Sequence, residues 1–209
     1  GYVEEVWGDW QSKLADSGLR IAEVHFGRDY EPEAQKRDQH MQNWFSKEGI
    51  VFRGVKDNVL LEKAEVVKKD GLPYTVYTPY NNQWKSVIQA DDFAESPSLE
   101  NLDALIEGWV APNIPSLEEM GFEVGADFDE CIPPRNVSSD VLQKYGMQRD
   151  FPSIEGTSRL SLHLRFGTVS IRAAYRQGIQ VSEKWINELI WRDFYQCVMF
   201  HFPHSEKWA

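Results

Sequence analysis

Cysteine is scarce: Cys131 and Cys197 are the only two in 209 residues. Two distant thiols do not make a disulfide framework, and they suit a reducing cytoplasm. His25, His40, His201 and His204 show no ligand spacing with cysteine or carboxylate, so no metal site is expected. No apolar run is long enough to cross a bilayer, and the start, GYVEEVWGDWQSKLA, is acidic and amphipathic rather than a cleavable leader. G-x-G-x-x-G, P-loop and G-x-S-x-G motifs are missing, as are internal repeats and low-complexity tracts. Positive charge is in short supply too, with 22 Lys and Arg against 33 Asp and Glu. Spread evenly, that deficit would repel nucleic acid.

The charge is not spread evenly. Residues 1–144 hold 14 basic against 27 acidic residues, whereas residues 145–209 hold 8 against 6. All but two of the basic residues in the second stretch are arginines, which suit bidentate phosphate contact and stacking. Aromatics are abundant: eight Trp, eight Tyr and eleven Phe. Such rings fill cores and also build stacking platforms for flat ligands.

Along the chain, Val3–Ala15 reads as an amphipathic helix and Leu19–Phe26 as a strand between Gly18 and Gly27. A helix should follow from Pro32, stopped near Gly49, and then a second strand over Ile50–Val55. NVLLEKAEVVKKDG reads as short helical or irregular, PYTVYTPY as containing a brief strand, and NNQWKSVI as a helix. Strands alternating with helices imply parallel βαβ units. A proline- and acid-rich connector fills residues 89–140, and the pattern beyond Asp140 is helical. Ser170 suits the N-cap of IRAAYRQ and Gly178 its stop. In SEKWINELIWRDFYQCVMFHF, the residues Ile186, Leu189, Ile190, Phe194 and Val198 keep the helical period and should face a core.

Two stretches carry candidate chemistry. In the last helix, Trp185, Glu188, Arg192 and Tyr195 form a second stripe with Trp191 on its flank. They read either as a Glu188–Arg192 surface pair beside partly buried rings, or as a wall for a flat, hydrogen-bonding ligand. Upstream, RDFPSIEGTSRLSLHLRFGTVSIR sets Thr157 and Ser158 before a short helix, Leu160–Phe166. Free N–H groups, hydroxyls and Arg159 at a helix start could hold an anion such as pyrophosphate, or could simply cap the helix. His163 falls inside that helix and reads as a packing or capping residue.

Together these stretches resemble the DNA photolyase/cryptochrome family. RDFPSIEGTSRLSLHLRFGTVSIR and KWINELIWRDFYQCVMFHFP resemble its first two flavin-binding segments. FGRDYEPEAQKRD and LPYTVYTPYNNQWK resemble pieces of its α/β antenna domain. The resemblance implies a partial α/β antenna-like domain over residues 1–90, an acidic linker over 91–139, and the first part of an all-α FAD-binding domain over 140–209. It implies an internal fragment of a light-driven, FAD-dependent enzyme that splits cyclobutane pyrimidine dimers in DNA. The alternative is a cryptochrome-like blue-light photoreceptor.

On that resemblance, Tyr145, Thr157, Ser158, Arg159, Leu160, Ser161, Trp185, Glu188 and Arg192 would contact FAD. Arg149, Glu188, Trp191 and Tyr195 would face damaged DNA. Trp191 would stack on the flipped-out dimer and Glu188 would hydrogen-bond it, so these two are the catalytic candidates. Folate-binding members carry an Asn-Glu pair where this chain has Glu33 and Ala34, so no antenna chromophore is named. The 209-residue chain alone is expected to be inactive and without stoichiometric FAD. Trp191 is expected to be more exposed than in an intact parent, or covered by self-association of two copies.

Overall fold

The structure, a computed structural model, describes residues 3–105, 115–123 and 132–208. Cys131 and parts of the expected connector lie outside the described residues. The chain divides into two compact units, residues 1–92 with 187–209, and residues 93–186.

In the first unit, helix α1 (Val3–Asp16) leads into strand β1 (Glu23–Gly27), helix α2 (Pro32–Lys47) and strand β2 (Val51–Val55). β1 and β2 pair in parallel, from Glu23 opposite Val51 to Gly27 opposite Val55. Parallel neighbours need a crossover, and α2 supplies it. Pro32 opens α2, where its missing N–H has no intrahelical acceptor, and Gly49 follows the helix with a φ of +70°. Met41 and Phe45 on α2 pack with Val24 and Ile50. Phe45 is fully buried, edge-on to Trp7 at 5.4 Å and stacked on Phe52 at 5.0 Å. β1 is shorter than expected, beginning at Glu23 rather than Leu19.

No strand forms within PYTVYTPY; helix α3 (Tyr77–Val87) begins there instead, beside one isolated bridge between Val67 and Pro73. The reason is burial. In a helix Tyr80 and Trp84 are one turn apart, and both are buried. Pro79 sits in the first turn, where no N–H is needed. The preceding stretch is irregular although Val59, Leu60, Leu61 and Val66 are all buried. The Leu60 and Leu61 backbone donors are satisfied from far away in sequence, as described below.

The second unit is helical in its regular elements: α4 (Ser139–Gln148), α5 (Ser161–Arg165), α6 (Ile171–Gly178) and the start of α7 (Glu183–His201). The chain is thus an α/β part with a small parallel sheet, followed by a helical region. Ser170 caps α6 as expected, its Oγ accepting from the Arg172 N–H. Ser138 caps α4 in the same way, accepting from Val141.

Gly178 is the last residue of α6, where the sequence places the stop, and it has a second role. Its φ is not positive and α6 includes it. A Cβ there would lie 1.9 Å from Cδ1 of Trp185, so only glycine admits the indole. His163 is buried between two partners, Nδ1 2.7 Å from Thr168 Oγ1 and Nε2 2.6 Å from the Pro133 carbonyl. A carbonyl only accepts, so Nε2 carries the proton and Nδ1 accepts from Thr168. His163 is therefore a packing residue, as its place in the sequence suggests.

Candidate functional site

In the second unit the candidate residues gather around the end of α4. Tyr145 is buried on α4 and meets Trp185 edge-on at 5.4 Å. Arg149 caps α4, lies 5.7 Å from the Tyr145 ring centroid and donates from Nε to Asp150 at 3.2 Å. The hydroxyl loop then returns to the same place. A Cβ on Gly156 would come within 2.6 Å of the Gln148 carbonyl oxygen, so the glycine lets residues 156–161 approach the helix end.

The loop is not built as expected. α5 spans only Ser161–Arg165, Leu160 takes the N-cap position, and no side chain caps it. Ser158 Oγ instead accepts from the Leu160 N–H at 3.4 Å, and Arg159 between them has a φ of +53°. A left-handed residue breaks the helix before Thr157 or Ser158 could cap it. Thr157, Arg159 and Ser161 are exposed, and Arg159 pairs with Glu155 across solvent at 2.6 Å. An anion here would meet hydroxyls and a guanidinium rather than the end of a long helix.

Trp185 is not part of an open wall. It is 2% exposed, its Nε1 donates to the Ala174 carbonyl at 3.3 Å, and it fills the notch at Gly178. The indole is a core residue because its one polar atom is satisfied inside the unit.

In the first unit α7 carries the remaining candidates. The Arg192 guanidinium donates twice to Asn58, to its carbonyl and to its side-chain oxygen. Arg192 thus holds the irregular segment, which the sequence did not suggest. Trp191 is half-buried and lies on Tyr77, with ring centroids 3.5 Å apart and planes 4° apart. Rings of the same unit, Tyr77 and Tyr195, both stack on Trp191. Tyr195, 57% exposed, packs against Trp191 at 5.4 Å and 23°. Glu188 lies close enough to Tyr77 to act on it. Burial, and then the Glu188 charge, push the Tyr77 hydroxyl up to about 12.

Asp193 is the residue that reading the sequence missed. It is 1% exposed, in the middle of α7. Its Oδ2 accepts from the Leu60 N–H at 3.2 Å, the Leu61 N–H at 3.1 Å and Trp84 Nε1 at 3.1 Å. Burial pushes its carboxyl up to about 6, against the opposing effect of those donors and of Arg192. The available signal was an acid at a core position, between Leu189 and Cys197 at four-residue spacing.

No helix among the described residues is long and apolar enough to cross a membrane. Among the same residues no cluster of three or more His, Cys, Asp or Glu could hold a metal ion.

The hydroxyl loop of the second unit is compatible with an anionic group such as a phosphate, since Thr157, Arg159 and Ser161 are exposed beside the close approach at Gly156. The buried Trp185 ring does not fit as a flavin contact.

A small parallel α/β part and a helical region with a hydroxyl loop define an α/β-plus-helical protein with an anion-compatible loop. Residues 13–100 match the family model for DNA photolyase. The deoxyribodipyrimidine photo-lyase of Alkalihalophilus pseudofirmus is 31% identical over 92% of this chain and 43% of its own length. A class III photolyase from Agrobacterium tumefaciens matches 98% of this chain and 45% of its own with a TM-score of 0.75 and 25% identity. An archaeal photolyase from Sulfolobus tokodaii, solved with two FAD molecules, shares the fold at a TM-score of 0.53 and 21% identity, over 93% of this chain and 46% of its own. Residues 13–100 thus carry the DNA photolyase match, the chain is similar to these photolyases over most of its own length, and it spans less than half of theirs.

Proposed function

We propose that the protein carrying this chain is a light-driven, FAD-dependent enzyme that splits cyclobutane pyrimidine dimers in DNA, working in the cytoplasm. The observation that carries this reading is the Trp191 indole, held flat on α7 one turn after Glu188. A flat ring beside a carboxylate is the arrangement that receives an unstacked base, and a dimer is the cheapest base step to unstack. The names of the relatives support it.

Within the reading, Thr157, Ser158, Arg159 and Ser161 hold the FAD phosphates through hydroxyls and a guanidinium, with Leu160 and Tyr145 packing beneath them. Bound FAD supplies, when reduced and excited by light, the electron that opens the dimer. The chain's own residues do the rest. Trp191 stacks on the extruded dimer, Glu188 accepts hydrogen bonds from its base N–H groups, and Arg149 and Tyr195 meet the strand. Residues 145–209, which hold more bases than acids, form the part of an acidic chain that tolerates DNA. Residues 1–90 form part of an antenna-like domain, 91–139 a linker and 140–209 the start of the FAD-binding domain. Limited proteolysis of the folded chain should accordingly cut first between Gln89 and Ser139; early cleavage within Glu183–Phe202 would contradict this division.

The test is repair. The full-length protein carrying this chain, with its flavin reduced, should restore a thymine dimer in an oligonucleotide under blue light and not in the dark. Substituting Glu188→Gln or Trp191→Ala should lower the yield. Bound, reduced flavin with no light-dependent repair would sink the enzyme and favour a cryptochrome-like photoreceptor. The 209-residue chain by itself should be colourless, because one phosphate-side loop gives a large ligand contact on too few sides. A flavin absorption band near equimolar with the chain would show that the residues present suffice.

A further inference from the structure

Tyr77 opens α3, and its ring lies on Trp191 almost parallel, at 3.5 Å and 4°. A partner ring can set the plane of an indole only if it is itself held. Tyr77 is held twice. Its hydroxyl donates to the Asn187 carbonyl at 2.9 Å, and Phe194 meets its ring edge-on at 5.9 Å. Asn187 lies one turn before Trp191 on α7, and its side-chain oxygen accepts from Asn81 Nδ2 at 3.3 Å. Asn81 in turn lies one turn after Tyr77 on α3. Two α3 residues thus grip the α7 turn that precedes Trp191, and one of them presses flat on the indole itself. Burial and the Glu188 charge keep the hydroxyl protonated, so it goes on donating well above neutral pH.

The geometry points to Tyr77 as a positioning residue for base recognition: it occupies one face of the Trp191 indole and fixes the ring plane against which an unstacked nucleobase of DNA stacks. The inference rests on the proposed reading that Trp191 stacks on a base. It goes beyond that reading by assigning to α3, far from α7 in sequence, control of the preference for lesion over intact DNA. Stacking is tolerant of base identity but not of ring orientation, so a tilted indole loses the extruded base while phosphate contacts persist.

The test compares wild type, Tyr77→Phe and Tyr77→Leu in the full-length protein carrying this chain. Fluorescence anisotropy gives the affinity for a duplex with one thymine dimer and for the same duplex undamaged. Near-UV circular dichroism and acrylamide quenching, each read as the difference from a Trp191→Ala variant because the chain has eight tryptophans, report the Trp191 stack without DNA. Tyr77→Leu should weaken the preference for the dimer at least about fivefold, leave affinity for undamaged DNA unchanged, and diminish the near-UV signal. Tyr77→Phe keeps the ring and should rescue most of both. In a Trp191→Ala background, Tyr77→Leu should cause no further loss of preference. If the leucine variant does not fold, Tyr77→Met removes the flat face at similar volume and answers the same question. A folded Tyr77→Leu protein with unchanged preference overturns the assignment and leaves the DNA reading intact. A wild-type protein with no preference for the dimer overturns the DNA reading, and the assignment with it.

Discussion

Asp193→Leu will destabilise the fold by roughly 3 kcal/mol, measured by urea denaturation at pH 7, because it leaves three buried N–H donors without an acceptor. Those donors are the Leu60 and Leu61 amides and the Trp84 indole, all bonded to one carboxylate oxygen. Asp193→Asn keeps an acceptor in the same place and should be far milder. The two proteins should also differ in their response to pH. Burial pushes the folded carboxyl up to about 6, above the ordinary aspartate range, so the folded chain holds this proton more tightly than the unfolded chain does. Its contribution is most favourable below about pH 4 and is lost as pH rises through about 6. The stability of the wild type relative to Asp193→Asn should therefore fall across that window, by up to roughly 3 kcal/mol, and be flat above it. The proton has a place to go, since Oδ1 of Asp193 is buried with no hydrogen-bond partner. A relative stability that rises with pH would mean that the three donors outweigh burial, and would reverse this account.

Gly178→Ala should be nearly as damaging, by about 2–3 kcal/mol in the same assay, because the new methyl would overlap the Trp185 ring. The indole cannot simply withdraw, as it is buried and bonded to the Ala174 carbonyl. Trp185→Leu alone opens a cavity and should be destabilising by about 3 kcal/mol. The double substitution is the discriminating one. With a smaller side chain at 185 the alanine methyl has room, so the double variant should be more stable than the sum of the two single effects allows. Strict additivity would show that Gly178 matters for its backbone, as a stop signal, and not for the ring it admits.

What the sequence by itself determined is what depends on near neighbours. The bounds of α2 follow from Pro32 and Gly49, and the start of α6 from Ser170, since caps and breakers act within a turn. The core stripe of α7 was legible because Ile186, Leu189, Ile190, Phe194 and Val198 keep the helical period; the first four are buried and Val198 is half-buried. The two parallel strands were legible from β-rich runs separated by a helix. The tertiary structure decided the rest. Leu60 and Leu61 sit in an irregular segment because their amides bond to a carboxylate more than 130 residues away, which no local pattern encodes. Trp185 reads as one member of an amphipathic stripe, and only the notch at Gly178 makes it a core residue. Thr157 and Ser158 read as helix caps, but Arg159 takes a left-handed conformation that ends that geometry. Arg192 reads as a partner for Glu188, and its two hydrogen bonds to Asn58 are a tie that the sequence does not announce. Trp191 reads as an open platform, yet Tyr77, from a stretch read as containing a brief strand, arrives on a helix and covers one face. For Asp193, Arg192 and Trp191 the partner lies more than 100 residues away in the chain, and the free energy of that contact overrode the local propensity.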